Sequence, residues 1–136
     1  MTKSVSGSAK GTKKKPSVLL IEDDVFLGDI YAKALGDAGF SVLRAIDGVL
    51  GLETAKKKKP SVILLDVLMP RMDGFETLEK LKTEDVTKHI PVSMLTNLSQ
   101  KSDVDKCFAL GAIDYMIKAQ VTPQDIVARV KKILSI

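Results

Sequence analysis

The chain has 136 residues, room for one domain, and carries 21 Lys and Arg against 17 Asp and Glu for a formal charge of +4. Its single cysteine excludes an internal disulfide framework and suits a reducing compartment. No apolar run approaches the ~20 residues of a membrane helix, and the N-terminus lacks the hydrophobic stretch of a signal peptide. A soluble, cytoplasmic protein without a membrane partner is expected.

The positive charge is unevenly placed. Lys3, Lys10, Lys13, Lys14 and Lys15 share residues 1–15 with no acid, so the remaining 16 basic residues face 17 acids. That Ser/Gly/Thr/Lys segment has too little apolar surface to offset the entropy of ordering it, and is expected to be a disordered tail. It is read as a solvated leader, with weak anion binding as the alternative. Residues 16–136 are then the domain, near neutral, and no nucleic-acid partner is expected for it. Lys56 to Lys59 fit the cationic end of a helix.

From Pro16 the chain alternates between strand and helix patterns. Ser17 to Ile21 is an apolar strand that stops at Glu22-Asp23-Asp24. Phe26, Leu27, Ile30, Tyr31, Ala34, Leu35 and Ala38 follow on helical spacing, with Gly39 as the stop. Phe40 to Ala45 is a second strand, and Asp47 caps a weaker helix carrying Val49, Leu52 and Ala55. Ser61 to Leu65 is a short unbroken apolar strand, the pattern of one buried on both faces, and it stops at Asp66. Asp73 and Glu76 resemble a capping box at the head of a helix bearing Phe75, Leu78 and Leu81. Ile90 to Leu95 is the fourth strand, ending at Thr96. Val104, Cys107 and Phe108 mark a fourth helix stopped by Gly111, and Ala112 to Ile117 is a fifth strand ending at Lys118. Thr122-Pro123-Gln124-Asp125 starts a last helix with Ile126, Val127, Val130, Ile133 and Leu134 on its apolar face.

Five such alternations predict an α/β domain: one doubly wound, five-stranded parallel sheet with five helices, right-handed crossovers placing helices on both faces. Parallel strands bring their carboxyl ends to one edge, where open α/β sheets bind ligands. Glu22 and Asp23, Asp66, Thr96 and Lys118 should therefore converge. Singly, each has a structural explanation, such as an N-cap or a surface lysine. Together, acids on strands one and three, a hydroxyl on four and an ammonium on five need another. Carboxylates held close repel one another, and a hard divalent cation such as Mg²⁺ relieves that repulsion while screening an incoming phosphoryl group. The chemistry this predicts is phosphoryl transfer onto the Asp66 carboxylate.

Residues 17–134 closely resemble the receiver domain of two-component response regulators. The resemblance rests on Glu22-Asp23, Asp66 followed by Met69-Pro70 and Asp73-Gly74, then Thr96, Tyr115 and Lys118, in order and at family-like spacing. It implies the flavodoxin-like strand order 2-1-3-4-5. It implies that Asp66 accepts a phosphoryl group from a sensor histidine kinase or histidine phosphotransfer protein. It further implies Mg²⁺ bound by Glu22, Asp23, Asp66 and the backbone carbonyl of Leu68, with Lys118 and Thr96 on the phosphoryl oxygens. Thr96 and Tyr115 would form the switch pair, changing the surface of helix four, strand five and helix five toward a downstream protein. Such a module signals; at most it slowly dephosphorylates itself.

Two positions depart from the family pattern. Ala119 follows Lys118 where proline is usual, so the loop is either trans or holds a strained cis bond. Asn97 follows Thr96 where a small residue is usual, and is expected to change phosphorylation kinetics without abolishing them. The chain ends soon after the last helix, as a stand-alone receiver or one cut from a longer regulator. Cys107 is expected in the core, His89 in a loop, Met69 and Met72 in loop packing, and Asp24 as a cap.

Rival readings are an aspartyl-phosphate hydrolase of the haloacid dehalogenase type, a nucleotide- or flavin-binding domain, and a receiver-like binding module that is not phosphorylated. The hydrolase wants a carboxylate two residues after its nucleophile, and Leu68 stands there. A phosphate loop after strand one would have to tolerate Glu22-Asp23-Asp24.

Overall fold

A computed structural model describes residues 15–136. Apart from Lys15, the expected disordered tail lies outside the described residues. The elements are β1 (Ser17–Ile21), α1 (Val25–Asp37), β2 (Ser41–Ala45), α2 (Gly48–Lys58), β3 (Val62–Leu65), α3 (Gly74–Thr83), β4 (Val92–Thr96), α4 (Lys101–Ala109), β5 (Asp114–Ile117) and α5 (Pro123–Leu134), with a 3-10 turn at Lys118–Gln120. The strands form one parallel sheet in the order β2-β1-β3-β4-β5. The expected fold and strand order are both present.

Side chains alternate across a strand, so an unbroken apolar run feeds two cores. In β1, Leu19 and Ile21 pack with Ile63 and Leu65 of β3 and with Ala55, Leu78, Leu81 and Cys107. This is the face covered by α2, α3 and α4. Val18 and Leu20 point the other way, joining Val62 and Leu64 with Tyr31 and Leu35 of α1 and Ile126, Val127 and Val130 of α5. Full burial of side chains of this size is worth roughly 1.5–3 kcal/mol each. The central strands β1 and β3 thus carry both cores, which fixes the height of their carboxyl ends.

The helix ends follow local chemistry. Asp24, Asp47 and Asp73 accept hydrogen bonds from Leu27, Leu50 and Glu76 amides at the starts of α1, α2 and α3. The capping box expected from Asp73 and Glu76 is only half formed, since the reciprocal bond from Glu76 is missing. At α5 Thr122 and Asp125 make both bonds, with Pro123 in the first turn. Gly39 and Gly111 sit at positive φ after α1 and α4, which a side chain would resist.

Several boundaries and faces differ from expectation. β2, β4 and β5 begin at Ser41, Val92 and Asp114, one or two residues later than predicted, while β4 runs on through Thr96. Phe26, Ile30, Val49 and Phe108 are exposed rather than core. The buried stripe of α1 is narrow, through Gly28, Tyr31 and Leu35, and Phe26 lies on the far side of the first turn. In α4 only Cys107 is buried, and Phe108 is turned about 100° from it. Cys107 and Met72 are buried and His89 is exposed, as expected. No helix among the described residues is long and apolar enough to cross a membrane.

Candidate functional site

The site is built where the sheet ladder runs one residue past its strands. The Glu22 amide donates to the Ala45 carbonyl at 3.0 Å, and the Asp66 amide to the Ile21 carbonyl at 3.2 Å. These bonds hold the two residues in extended register, side by side at the carboxyl edge. Glu22 is 2% exposed and Asp66 5% exposed, while Asp23 is open to solvent. Carboxylate oxygens of Glu22, Asp23 and Asp66 lie within 4.8 Å of one another.

Lys118, the first residue after β5, reaches back across the edge. Its Nζ donates to Asp66 Oδ2 at 2.6 Å and stands 2.6 Å from Glu22 Oε1. The second approach is poorly directed for a hydrogen bond, so Glu22 Oε1 is buried with its charge compensated but its lone pairs unmatched. The other oxygens are engaged: Asp66 Oδ1 accepts from the Val67 amide at 2.7 Å, and Glu22 Oε2 from the Asp24 amide at 3.1 Å. Burial, with the negative charge of Asp66 adding to it, pushes the Glu22 carboxyl above its ordinary pKa against the pull of Lys118. Burial alone would lower Lys118, but Asp66 and Glu22 outweigh it and hold the ammonium above its ordinary value.

The donor set fits a hard divalent cation. Three carboxylates offer oxygen ligands within 4.8 Å of one another, one oxygen lacks a directed partner, and two oxygens on one Mg²⁺ at ~2.1 Å stand at most ~4.2 Å apart. The β3–α3 loop is held against this cluster. Gly74 donates its amide to the Val67 carbonyl at 2.8 Å, and a Cβ at Gly74 would fall 2.2 Å from the Asp66 carbonyl oxygen. Only glycine lets the start of α3 close onto that loop. Arg71, at φ 70°, forks onto the buried Asp47 through Nε at 2.9 Å and an η nitrogen at 3.2 Å. That pair draws Asp47 below the usual carboxylate range.

Thr96 ends β4, fully buried, paired in register with Ile117, the residue before Lys118. The Tyr115 hydroxyl donates to the Leu98 carbonyl at 2.7 Å, two residues beyond Thr96. Burial pushes this phenol up to about 12. The structure therefore gathers Glu22, Asp23, Asp66 and Lys118 into one cluster, sets Thr96 on the strand between β3 and β5, and ties Tyr115 to the loop after Thr96. Leu68 lies in the β3–α3 loop and is 60% exposed.

The peptide bonds of the described residues are all trans, which settles the conformation at Lys118–Ala119. Asn97 accepts a hydrogen bond from the Ala119 amide at 3.0 Å. Sequence reasoning missed this bond, the Arg71–Asp47 fork and the close approach at Gly74. The only sequence signal for the first was that Asn97 and Ala119 are unusual together.

An open doubly wound sheet with acids and one ammonium at its carboxyl edge defines an α/β domain with a charged site at its ligand-binding edge. The model of the response regulator receiver domain family matches residues 18–131. Over 119 residues the chain is 37% identical to the DNA-binding dual master transcriptional regulator RpaA of Synechocystis, covering 88% of this chain and 49% of that protein. It is 34% identical over 117 residues to the alkaline phosphatase synthesis transcriptional regulatory protein PhoP of Bacillus subtilis, covering 86% and 48%. The chain spans about half the length of these curated relatives. The chemotaxis protein CheY4 of Vibrio cholerae superposes with a TM-score of 0.82 at 28% identity, covering 88% of this chain and 98% of that one. The chain belongs to the response regulator receiver family, the signalling module of two-component systems.

Proposed function

We propose that residues 16–136 act as a phosphoacceptor switch in which Asp66 receives a phosphoryl group from a phosphohistidine of a sensor kinase or phosphotransfer protein. The observation that carries this reading is the Asp66 carboxylate, buried at the end of β3, 2.6 Å from Lys118 and clustered with Glu22 and Asp23. An Asp66 oxygen attacks phosphorus, the P–N bond to the donor imidazole breaks, and the bond electrons return to the ring nitrogen. Lys118 leaves its carboxylate partners to pair with the phosphoryl oxygens, and the Thr96 hydroxyl takes another of them. Glu22, Asp23, Asp66 and the Leu68 carbonyl would hold Mg²⁺. When bound, the cation offsets the repulsion between the acidic cluster and the incoming phosphoryl group.

The same charge change is the output signal. A shift of Thr96 toward the phosphoryl group moves the loop that holds Tyr115, altering the α4-β5-α5 surface for a downstream protein. The module works in the cytoplasm, does not bind nucleic acid by itself, and has no catalytic output beyond slow self-dephosphorylation. Leu68, apolar two residues after Asp66, weighs against the hydrolase alternative, because no carboxyl group stands there to act as general acid.

Acetyl phosphate or beryllofluoride in the presence of Mg²⁺ tests this directly. With acetyl phosphate the wild-type chain should gain an acid-stable, alkali-labile phosphoryl group and with beryllofluoride a Mg²⁺-dependent adduct, and Asp66→Asn should gain neither. Labelling that persists in Asp66→Asn, or turnover of phosphate monoesters by the wild type, would refute the assignment.

A further inference from the structure

We propose that Asn97 is a positioning residue that fixes the reach of Lys118 toward Asp66 by capping, from the neighbouring loop, the 3-10 turn on which Lys118 sits. The proposal rests on the reading of Asp66 as phosphoacceptor and adds a residue that governs its partner.

Lys118 is the first residue of the turn Lys118–Gln120, and the residue before it, Ile117, has no side-chain group that could cap it. The first amides of a helical turn have no partner within it and must find one elsewhere. Asn97 Oδ1 supplies that partner to the Ala119 amide at 3.0 Å, across 22 residues of sequence. Asn97 itself follows Thr96, which is fully buried and paired with Ile117 across the β4–β5 ladder. The bond therefore closes a small ring: Thr96, Asn97, Ala119, Lys118, Ile117 and back to Thr96. One side of the ring is the Thr96–Ile117 strand pair, anchored by the buried Thr96; the other side carries the lysine. Ala119 and Gln120 are exposed, so no packing holds the turn from outside. The Lys118 side chain is 9% exposed and serves two acids at 2.6 Å, an arrangement that tolerates little displacement of its backbone.

The test combines NMR on the full chain with beryllofluoride titration in Mg²⁺. Asn97→Ala should speed hydrogen exchange of the Ala119 amide about fivefold, as expected for losing one ordinary hydrogen bond. It should also lower the order parameter of the Lys118 ζ-ammonium. The same variant should weaken beryllofluoride binding about fivefold, while Mg²⁺ affinity, set by the acids, stays unchanged. In Lys118→Ala, read at raised beryllofluoride, adding Asn97→Ala should cost nothing further, because Asn97 acts through the lysine. An amide-to-ester replacement at Ala119, which removes only the N–H, should reproduce Asn97→Ala and serves if that variant folds poorly. Unchanged Lys118 order in both variants, or an equal loss from Asn97→Ala with and without Lys118, overturns the proposal. If the wild-type chain fails to bind beryllofluoride, the phosphoacceptor reading falls instead, and the NMR measurements still decide whether Asn97 positions Lys118.

Discussion

The two edges of the sheet treat their polar groups in opposite ways. At the amino edge, Ser17 and Ser61 satisfy each other: the Ser17 amide donates to Ser61 Oγ at 3.0 Å, and the Ser61 amide to Ser17 Oγ at 3.2 Å. The groups are neutral and locally complete. The open hollow beside them is lined by the exposed cations Lys15, Lys58 and Lys59. At the carboxyl edge the same strands end in Glu22 and Asp66, buried and charged, with one oxygen lacking a directed partner. Buried charge on fixed backbone is thus what separates the carboxyl edge from the amino edge. An edge built only to end strands resembles the serine pair; the acidic edge keeps a cost that a cation or phosphoryl group can relieve.

Variants can press on this contrast. Lys118→Ala should cost about 3 kcal/mol in metal-free urea unfolding, because it strands two buried carboxylates, and added Mg²⁺ should recover part of it. A loss no larger than at the amino edge would remove the distinction between the edges. Gly74→Ala should cost about 2 kcal/mol through the clash with the Asp66 carbonyl and should weaken Mg²⁺ binding as the loop withdraws. Ser61→Ala should cost about 1 kcal/mol and leave Mg²⁺ affinity and phosphorylation unchanged, as the loss of a neutral pair far from the site.

The smallest effect is read in alkali. Burial raises both phenols, Tyr31 in direction and Tyr115 to about 12. Tyrosinate absorbance at the chain's two tyrosines should therefore appear later than in the unfolded chain, whose phenols titrate near ~10. Because the folded value lies above the unfolded one, the associated stability is present below pH ~10 and is lost as the pH rises toward 12.

Most of the fold was legible because strand and helix patterns differ in period, and because β1 and β3 feed two cores with unbroken apolar runs. Helical spacing shows which side of α1 and α4 faces the sheet but not how wide the buried stripe is, and Phe26, Ile30 and Phe108 fall outside it. The site was legible for a topological reason: parallel strands put Glu22, Asp66, Thr96 and Lys118 on one edge, whatever the loops do. The supports of the site were not. Asn97 with Ala119, and Arg71 with Asp47, are polar contacts across 22 and 24 residues. Nothing in local composition marks such pairs, and the role of Gly74 depends on where another loop's carbonyl lies.

The bond from Tyr115 to Leu98 has a consequence for how finely the molecule can register movement. At 2.7 Å it has the usual length for a hydroxyl donor. Lengthening by only ~0.8 Å takes it out of hydrogen-bonding range. A sub-ångström slide of the loop after Thr96, as the proposed switch requires, would therefore be enough to break this contact. On the proposed reading, a loop shift of that size would free the phenol from the Leu98 carbonyl.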